Sequence, residues 1–238
     1  APQAVVLDLA VGSKTGAINA ANRAASHFPR IIVDADVECG FNSLAALAQV
    51  LRQPGVMVAA PEIQIDLSEC NWAMKAYYQV WSRQPYAKAG KGGAGCYGIS
   101  AAALLNIGEF PPIIGDDLWI HTRFADHRRR YLTKDADGRR VFSVVYPPRT
   151  AFEQVKIEAR RAIGTGEVQR RYPSPYITVN EKNGVLGALT SGASIQNLAI
   201  YFSIKISARL LAKWRLMRGR GRIWSRDVSS RVLAKTDA

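Results

Sequence analysis

Two pairs of aspartates follow apolar stretches of the chain. Asp34 and Asp36 come directly after "RIIV", and Asp116 and Asp117 come after "PPIIG". Carboxylates are hard oxygen ligands that suit Mg²⁺ or Mn²⁺, and water and substrate phosphates complete the coordination of such an ion. We therefore predict that Asp34 and Asp36 hold a divalent cation that carries a diphosphate. A solvated loop is the alternative for this pair.

The adjacent pair predicts a role in proton transfer. Neighbouring carboxylates repel each other, so either one of them keeps its proton more readily or cations or hydroxyls hold both. A carboxylate in a cleft can take the proton of an attacking hydroxyl group, which is general-base catalysis. The alternative is that Asp116 and Asp117 cap a helix over "LWIHTRF", and the two roles are compatible.

Most of the chain before the tail alternates strand-like and helix-like segments. Strands are predicted over "AVVLDL", "RIIVDA", "VMVAAPEIQI" and "RRVFSVVYPPRT", and helices over "GAINAANRAASHF", "FNSLAALAQVLRQ", "ECNWAMKAYYQVWSRQ" and "AFEQVKIEARRAIG". This order is typical of an α/β fold with a mostly parallel sheet flanked by helices. Ligands of such sheets bind beyond the carboxyl ends of the strands, where Asp34 and Asp36 are expected.

Two further segments could contact phosphate or line a cleft. Lys14 and Asn19 lie in "GSKTGAIN", where a helix is predicted to begin, and a helix N-terminus attracts phosphate. The glycine-rich "GKGGAGCYG" lacks the G-K-[ST] of a Walker loop and predicts instead a loop beside a substrate cleft. A tight turn is the alternative.

Composition limits the possible classes. The chain has 238 residues, of which 48% are hydrophobic, so it can bury a core. Its three cysteines and three histidines lack the spacing of a disulfide framework or a structural zinc site, and a reducing compartment is expected.

The formal net charge of +13 is concentrated in the tail. No acidic residue lies between Lys205 and Arg226, and the preceding segment, Val185 to Ile204, carries no charge. This segment is about as long as a bilayer span. We predict a membrane-embedded or interfacial helix with the basic block against anionic headgroups, on the cytoplasmic face of the plasma (inner) membrane. The alternative is a core helix with a solvated basic extension.

Five segments in this order resemble the inverting family 2 glycosyltransferases: "GSKTGAINAAN", "IIVDADVE", "GCYGISAAAL", "IGDDLWIHTRF" and "ARRAIGTGE". The resemblance covers about Ala4 to Glu167 and implies the GT-A fold, with a mixed, mostly parallel sheet flanked by helices. It implies a glycosyltransferase domain over residues 1–170 and a helical, basic, membrane-associated region over 171–238. Because these enzymes begin with a strand and an acidic loop that hold the base, we expect the natural protein to begin upstream of this chain.

The resemblance also implies roles for single residues. Asp34 and Asp36 match the D-x-D motif, which binds Mn²⁺ or Mg²⁺ against the diphosphate of a nucleotide-sugar, here most readily a UDP-sugar. Asp117 matches the catalytic base, and Asp116 stands where glutamate is usual. The donor side is assigned Lys14, Asn19, Asp34, Arg160 and Arg161, and the acceptor side Gly95, Tyr97, Gly98 and Ser100.

The sequence thus predicts a metal-dependent inverting glycosyltransferase. It would move a sugar to a hydroxyl acceptor, such as a lipid or a glycan precursor, at a membrane surface, without a nucleic-acid partner. "IIGDD" is also similar to the Gly-Asp-Asp of viral RNA polymerases, but the chain is too short for that fold. A non-catalytic basic module for nucleic acid or anionic membrane is the remaining alternative, and it leaves both acidic pairs unexplained.

Overall fold

A computed structural model describes residues 4–84, 87, 95–176 and 184–219 of the chain. In chain order the elements are α1 (Lys14–Ala24), β1 (Arg30–Val33), β2 (Val37–Cys39), α2 (Phe41–Leu51), β3 (Val58–Ile65), α3 (Trp72–Trp81), β4 (Cys96–Ile99), α4 (Ala101–Ile107), α5 (Asp116–His121), a 3-10 turn (Asp126–Arg128), β5 (Arg129–Leu132), β6 (Phe142–Val145), α6 (Ala151–Arg171), α7 (Gly184–Leu189) and α8 (Ile195–Met217). The predicted α/β class, a sheet accompanied by helices, is confirmed.

The sheet is mixed, with β3 at its centre. Its strands lie in the order β1-β4-β3-β6-β2, and β5 also pairs with β3. Of the described pairs, β3 runs parallel to β5 and β6, whereas β1–β4, β3–β4 and β2–β6 are antiparallel. The prediction of a mixed sheet is therefore confirmed, and the prediction that it is mostly parallel is wrong for these residues. The reason is that β4 lies between β1 and β3 and runs against both, which the alternation of segments along the chain could not reveal.

Side-chain caps define where most of the longer helices begin. An N-cap side chain accepts a hydrogen bond from a backbone N–H of the first turn, which that N–H would otherwise lack. Such caps are Ser13, Asn71, Ser100, Thr150 and Ser194, which begin α1, α3, α4, α6 and α8. The cap of α1 matters for the site, because it makes Lys14 the first helical residue.

The main core holds β4, which carries Tyr97, against α5, which carries Asp116 and Asp117. It packs side chains of β3 and β4, among them Val58 and Tyr97, against Phe110, Trp119 and Ile120. Tyr97 and Ile120 are fully buried. Burial of such side chains is the main term that stabilises a fold, so α5 has a fixed position against β4.

The predicted strand over "AVVLDL" is not observed. Residues 4–9 are described without regular secondary structure, and the side chains of Val5 and Val6 are exposed. A strand needs a partner for its backbone, and no described strand pairs with this segment.

The segment from Val185 to Ile204 forms two helices rather than the single helix that was predicted. α7 ends at Leu189, Gly192 adopts a φ of +68°, and Ser194 caps α8. Within the described ranges no helix has both the length and the apolar character needed to cross a membrane. One face of α8 packs on the protein instead, since Tyr201 stacks on Tyr77 of α3 at 5.2 Å between ring centroids.

Candidate active site

The turn after β1 carries the first acidic pair. The N–H of Val37 donates to the carbonyl of Asp34 at 3.1 Å, so the chain reverses over Ala35 and Asp36. The N–H of Asp34 in turn donates to the carbonyl of Gly95 at 2.7 Å. The backbone of Asp34 is thus fixed on both sides, and the side chain of Asp36 is exposed at the tip of the turn.

Gly95 allows the chain to pass close beneath Asp34. Its φ of +75° lies in the left-handed region, which favours glycine. A Cβ at this position would lie 2.6 Å from Cγ2 of Val37 and 3.2 Å from Oδ2 of Asp34. Gly95 therefore contacts the side of the predicted metal site, and its predicted contact with an acceptor stays a prediction. The rest of the glycine-rich loop, residues 90–94, lies outside the described residues.

Lys14 joins the two acidic pairs. Its Nζ lies 2.9 Å from Oδ1 of Asp34 and 3.1 Å from Oδ1 of Asp116. The sequence had predicted that Asp34 and Asp116 both belong to one site, and the structure brings them to the same ammonium group. The partners of Lys14 in the structure are carboxylates, and its predicted contact with phosphate stays a prediction.

Asp116 is buried, and both of its oxygens are engaged. The Tyr97 hydroxyl donates to Oδ2 at 2.9 Å, and Lys14 binds Oδ1. The predicted catalytic role of Asp116 is not supported by this geometry, because the residue is only 2% exposed and a substrate hydroxyl does not reach its carboxylate. Asp116 instead positions Lys14 and the start of α5.

Asp117 is the more accessible carboxylate of the second pair. It is half-buried in the first turn of α5, and Oδ1 accepts a hydrogen bond of 2.7 Å from the N–H of Leu118. Both aspartates lie in the first turn of α5, but its N-cap is Gly115 and no side chain caps it, so only the helix N-terminal position of the capping alternative is confirmed. A proton acceptor that is partly open and partly held satisfies what a general base needs.

The cluster of Lys14, Asp34, Asp116 and Asp117 has more acidic than basic side chains. Burial raises the pKa of Asp34 above its ordinary value, and Lys14 only partly offsets this. Burial likewise raises the pKa of Asp116, to which the charge of Asp117 adds. Burial alone would lower the pKa of Lys14, but the charges of Asp116 and Asp34 together raise it above the ordinary value. The shifts in pKa of Asp34 and Asp116 thus come mainly from burial, whereas that of Lys14 comes from its carboxylate neighbours.

Arg160 on α6 lies within electrostatic reach of both acidic pairs. Burial and the adjacent Arg161 lower the pKa of Arg160 below its ordinary value. The carboxylates of Asp34, Asp36 and Asp117 oppose this shift in pKa. The predicted donor-side position of Arg160 is therefore consistent with where the structure places it.

Arg161 belongs to a different cluster. Its Nη1 donates to Oε1 of Glu158 at 3.0 Å, and Glu158 also binds Lys205 of α8. Burial alone would raise the pKa of Glu158, but Lys205 and Arg161 hold it below its ordinary value. The predicted donor contact of Arg161 is thus replaced by an ion-pair network that joins α6 to α8.

Asn19 also has a structural partner. Its Nδ2 donates to the carbonyl of Phe110 at 2.8 Å, and its Oδ1 accepts from the N–H of Phe110 at 2.9 Å. Both polar ends of the amide are occupied by one backbone residue. Asn19 therefore ties α1 to the segment before α5, and the structure does not place it among the carboxylates.

The other residues predicted on the acceptor side belong to the core. Tyr97 is fully buried, and the hydroxyl of Ser100 caps α4 by accepting from the N–H of Ala103 at 3.2 Å. Gly98 lies against the side chain of Leu51, which leaves no room for a Cβ. β4 is buried along its whole length, so these residues do not line an open surface in this structure.

Sequence reasoning missed the contribution of Gly164. A Cβ on Gly164 would lie 3.2 Å from Cβ of Ile114 and 3.3 Å from the backbone nitrogen of Gly115. This glycine lets α6 approach the start of α5, and Arg160 lies one turn earlier on the same helix. A glycine inside a predicted helix is the signal of such a close approach.

The donor set fits a cation only when phosphate and water complete the coordination. Among the described residues, no group of three or more His, Cys, Asp or Glu side chains could hold a metal ion. Asp34 and Asp36 offer two carboxylates on one turn, which is the number that magnesium sites on phosphate substrates often use. Asp34 would share its charge between the metal and Lys14.

Comparison of the chain with protein-family models gives no match, and comparison with curated proteins gives none either. The resemblance to family 2 glycosyltransferases therefore stays a prediction that depends on the five segments.

Proposed function

We propose that the chain is a metal-dependent inverting glycosyltransferase with a GT-A-like fold. The donor is a nucleotide-sugar, with a UDP-sugar preferred, and the acceptor is a hydroxyl group of a lipid or a glycan precursor. The observation that supports this most is the contact of the Lys14 ammonium with both Asp34 and Asp116. It brings the D-x-D turn and the second acidic pair together, as a donor site beside a general base requires.

In the proposed reaction Asp117 is the base. Its carboxylate takes the proton of the acceptor hydroxyl as that oxygen attacks the anomeric carbon. The bond from that carbon to the diphosphate breaks, and the configuration inverts. Asp116 is not assigned this role, since it is buried against Tyr97 and Lys14.

Asp34 and Asp36 would hold the cation, which supplies positive charge for the departing diphosphate. Arg160 is the protein's own cation on this side, and its half-buried position strengthens its interaction with a phosphate oxygen. Lys14 keeps the two aspartate segments together. These residues bind and orient the donor, while the chemistry of proton removal stays with Asp117.

The outward face of α8 supports a membrane surface as a partner. Ile206, Leu210, Trp214 and Met217 are all exposed, and a spacing of three or four residues places them on one side of the helix. Arg209 and Lys213 are exposed on the same helix. Apolar side chains with flanking cations are what an interfacial helix presents to anionic lipid. We propose that α8 lies on the cytoplasmic face of the membrane.

The test of the proposed function is calorimetric titration of the chain with UDP and with pyrophosphate, each with and without Mn²⁺. Pyrophosphate contains the diphosphate without the base, so its binding does not depend on a base pocket. We expect Mn²⁺-dependent binding that is lost in Asp36→Ala and kept in Asp137→Ala, an exposed aspartate on another loop. If neither probe binds in a Mn²⁺-dependent manner, and no sugar nucleotide does so either, the proposal is contradicted.

A further inference from the structure

Two thiols meet beside the turn that carries Asp34 and Asp36. Cys39 is the last residue of β2 and Cys96 the first residue of β4, and these strands do not pair with each other. The Cys96 thiol donates to Sγ of Cys39 at 3.8 Å. Both cysteines pack in the small core beneath α2. The contact is therefore between side chains that arrive from separate parts of the sheet.

The two thiols differ in reactivity. Cys39 is half-buried and Cys96 is almost fully buried. The hydrogen bond from Cys96 lowers the pKa of the Cys39 thiol below its ordinary value, while that bond and burial raise the pKa of Cys96. Cys39 is thus both the more accessible sulfur and the one that ionises first, which are the properties of an attacking thiol.

The backbone connects this pair to the aspartate turn. Gly95, which precedes Cys96, accepts the hydrogen bond of the Asp34 N–H. Val37 lies two residues before Cys39 and donates its N–H to the carbonyl of Asp34. Its Cγ2 lies 2.6 Å from the position that a Cβ of Gly95 would take. One sulfur therefore lies in β2, which follows the turn, and the other in β4, which pairs with the strand that precedes it. Closing them to the length of a disulfide, about 2 Å, would draw those strands together.

We propose that Cys39 and Cys96 are a reversible oxidation site that forms a disulfide with a peroxide as oxidant and thereby tightens the turn of Asp34 and Asp36. The Cys39 thiolate attacks a peroxide oxygen, the O–O bond breaks, and Cys39 becomes a sulfenic acid while water leaves. The sulfur of Cys96 then attacks the Cys39 sulfur, the S–O bond breaks, and a second water leaves with the Cys96 proton. The two thiols lose two electrons and the peroxide gains them. A dithiol reverses the reaction.

Cys70 provides an internal control. It lies in the core between α3 and α8, where its thiol donates to the carbonyl of Pro148 at 3.6 Å. Burial raises the pKa of the Cys70 thiol, so it is expected to react slowly with a peroxide.

The experiment treats the full chain and the variants Cys39→Ser, Cys96→Ser and Cys70→Ser with hydrogen peroxide, followed by digestion and mass spectrometry. We expect the chain and Cys70→Ser to give two peptides joined through Cys39 and Cys96, lighter by two hydrogens and separated again by dithiothreitol. The other two variants should not give them. Free thiols at both positions after treatment, oxidation of either to a sulfinic acid, or a bond between two chains would overturn the assignment.

A second measurement tests the effect on the turn. Amide hydrogen exchange of the peptide that contains Asp34 and Val37 should slow severalfold in the oxidised chain. Unchanged exchange in a chain with the disulfide formed would overturn the coupling. An effect on Mn²⁺-dependent pyrophosphate binding depends on the proposed function. If neither redox form binds the probe, that function fails while the oxidation site stands.

Discussion

Tyr97 donates a hydrogen bond of 2.9 Å from its hydroxyl to Oδ2 of Asp116, and both side chains are buried. With Lys14 on the other oxygen, Asp116 is fully engaged inside the protein. Its neighbour Asp117 remains partly open. Two adjacent aspartates thus have different environments. One is held by Lys14 and Tyr97, and the other is partly open to solvent.

The Tyr97 hydroxyl should contribute measurably to stability. Tyr97→Phe leaves a buried carboxylate oxygen without its donor, and an unsatisfied buried group costs about 1–3 kcal/mol. We expect the free energy of unfolding in urea to fall by about this amount. Tyr176→Phe, at an exposed position, is the control and should change it little. An unchanged free energy for Tyr97→Phe would mean that the bond is not formed in solution.

Asp117→Asn should abolish sugar transfer and keep donor binding. Asparagine has nearly the same shape but cannot accept the hydroxyl proton, and loss of a general base typically lowers a rate by about 10²–10⁴. The measurements are the transfer rate and the affinity for UDP with Mn²⁺. Normal transfer by this variant would remove Asp117 from the mechanism, whereas loss of binding would place it in the donor site.

Gly95→Ala should weaken Mn²⁺-dependent binding as well as stability. The added Cβ meets Val37 and Asp34, so the turn must shift. Gly138 is a matched control, because its φ of +79° imposes a similar backbone cost while no described atom lies within 4 Å of its Cβ position. That backbone cost is about 1–2 kcal/mol in both variants. Only Gly95→Ala is expected to lose more stability than this and to lose pyrophosphate binding. Equal behaviour of the two variants would contradict the role of Gly95.

The local elements and the meeting of the acidic pairs could be predicted from the sequence. The apolar periods of α2, β3 and α3 are short-range signals, and these three elements lie within the predicted segments. Asp34 ends a strand and Asp116 begins a helix, and both positions favour ligand sites. These inferences needed no knowledge of which strands are neighbours.

The errors concern partners that lie far away along the chain. Asn19 and Arg161 are residue types that bind phosphate, but Phe110 and Glu158 occupy their polar atoms. The direction of the strands was predicted wrongly for the same reason, because β4 pairs with β1 and β3, which lie far from it along the chain. The predicted end of α6 at Gly164 is also wrong, because close packing on α5 compensates the low helix propensity of glycine.

His121 should make the chain sensitive to acid. Burial, with the nearby charge of Arg129, lowers the pKa of His121 from 6.5 to about 3. In the unfolded chain His121 therefore gains a proton below pH 6.5, whereas in the folded chain it gains one only at about pH 3. The contribution of neutral His121 to the free energy of unfolding is fully present above pH 6.5. It is lost as the pH falls, by about 1.4 kcal/mol per pH unit.

The measurement is urea unfolding of the chain and of His121→Gln at several values between pH 7 and pH 4. Other groups titrate in this range, so the informative quantity is the difference between the two proteins. The advantage of the chain over the variant should shrink as the pH falls. A difference that stays constant with pH would show that His121 accepts a proton in the folded state.

The outward face of α8 should control binding to anionic vesicles. Leu210→Ser removes an apolar side chain from the middle of this face, and Lys213→Glu reverses one of its exposed charges. Both should reduce the fraction that sediments with vesicles containing phosphatidylserine, by several-fold for the charge reversal, since each basic residue contributes about 1 kcal/mol near such a surface. Leu105→Ser is the control, because Leu105 is an equally apolar and exposed side chain on α4. Equal loss in the control would mean that general exposed hydrophobicity drives the binding. Retention of binding by both α8 variants would remove this helix from the membrane contact and leave the carboxylate cluster as the feature that defines the function.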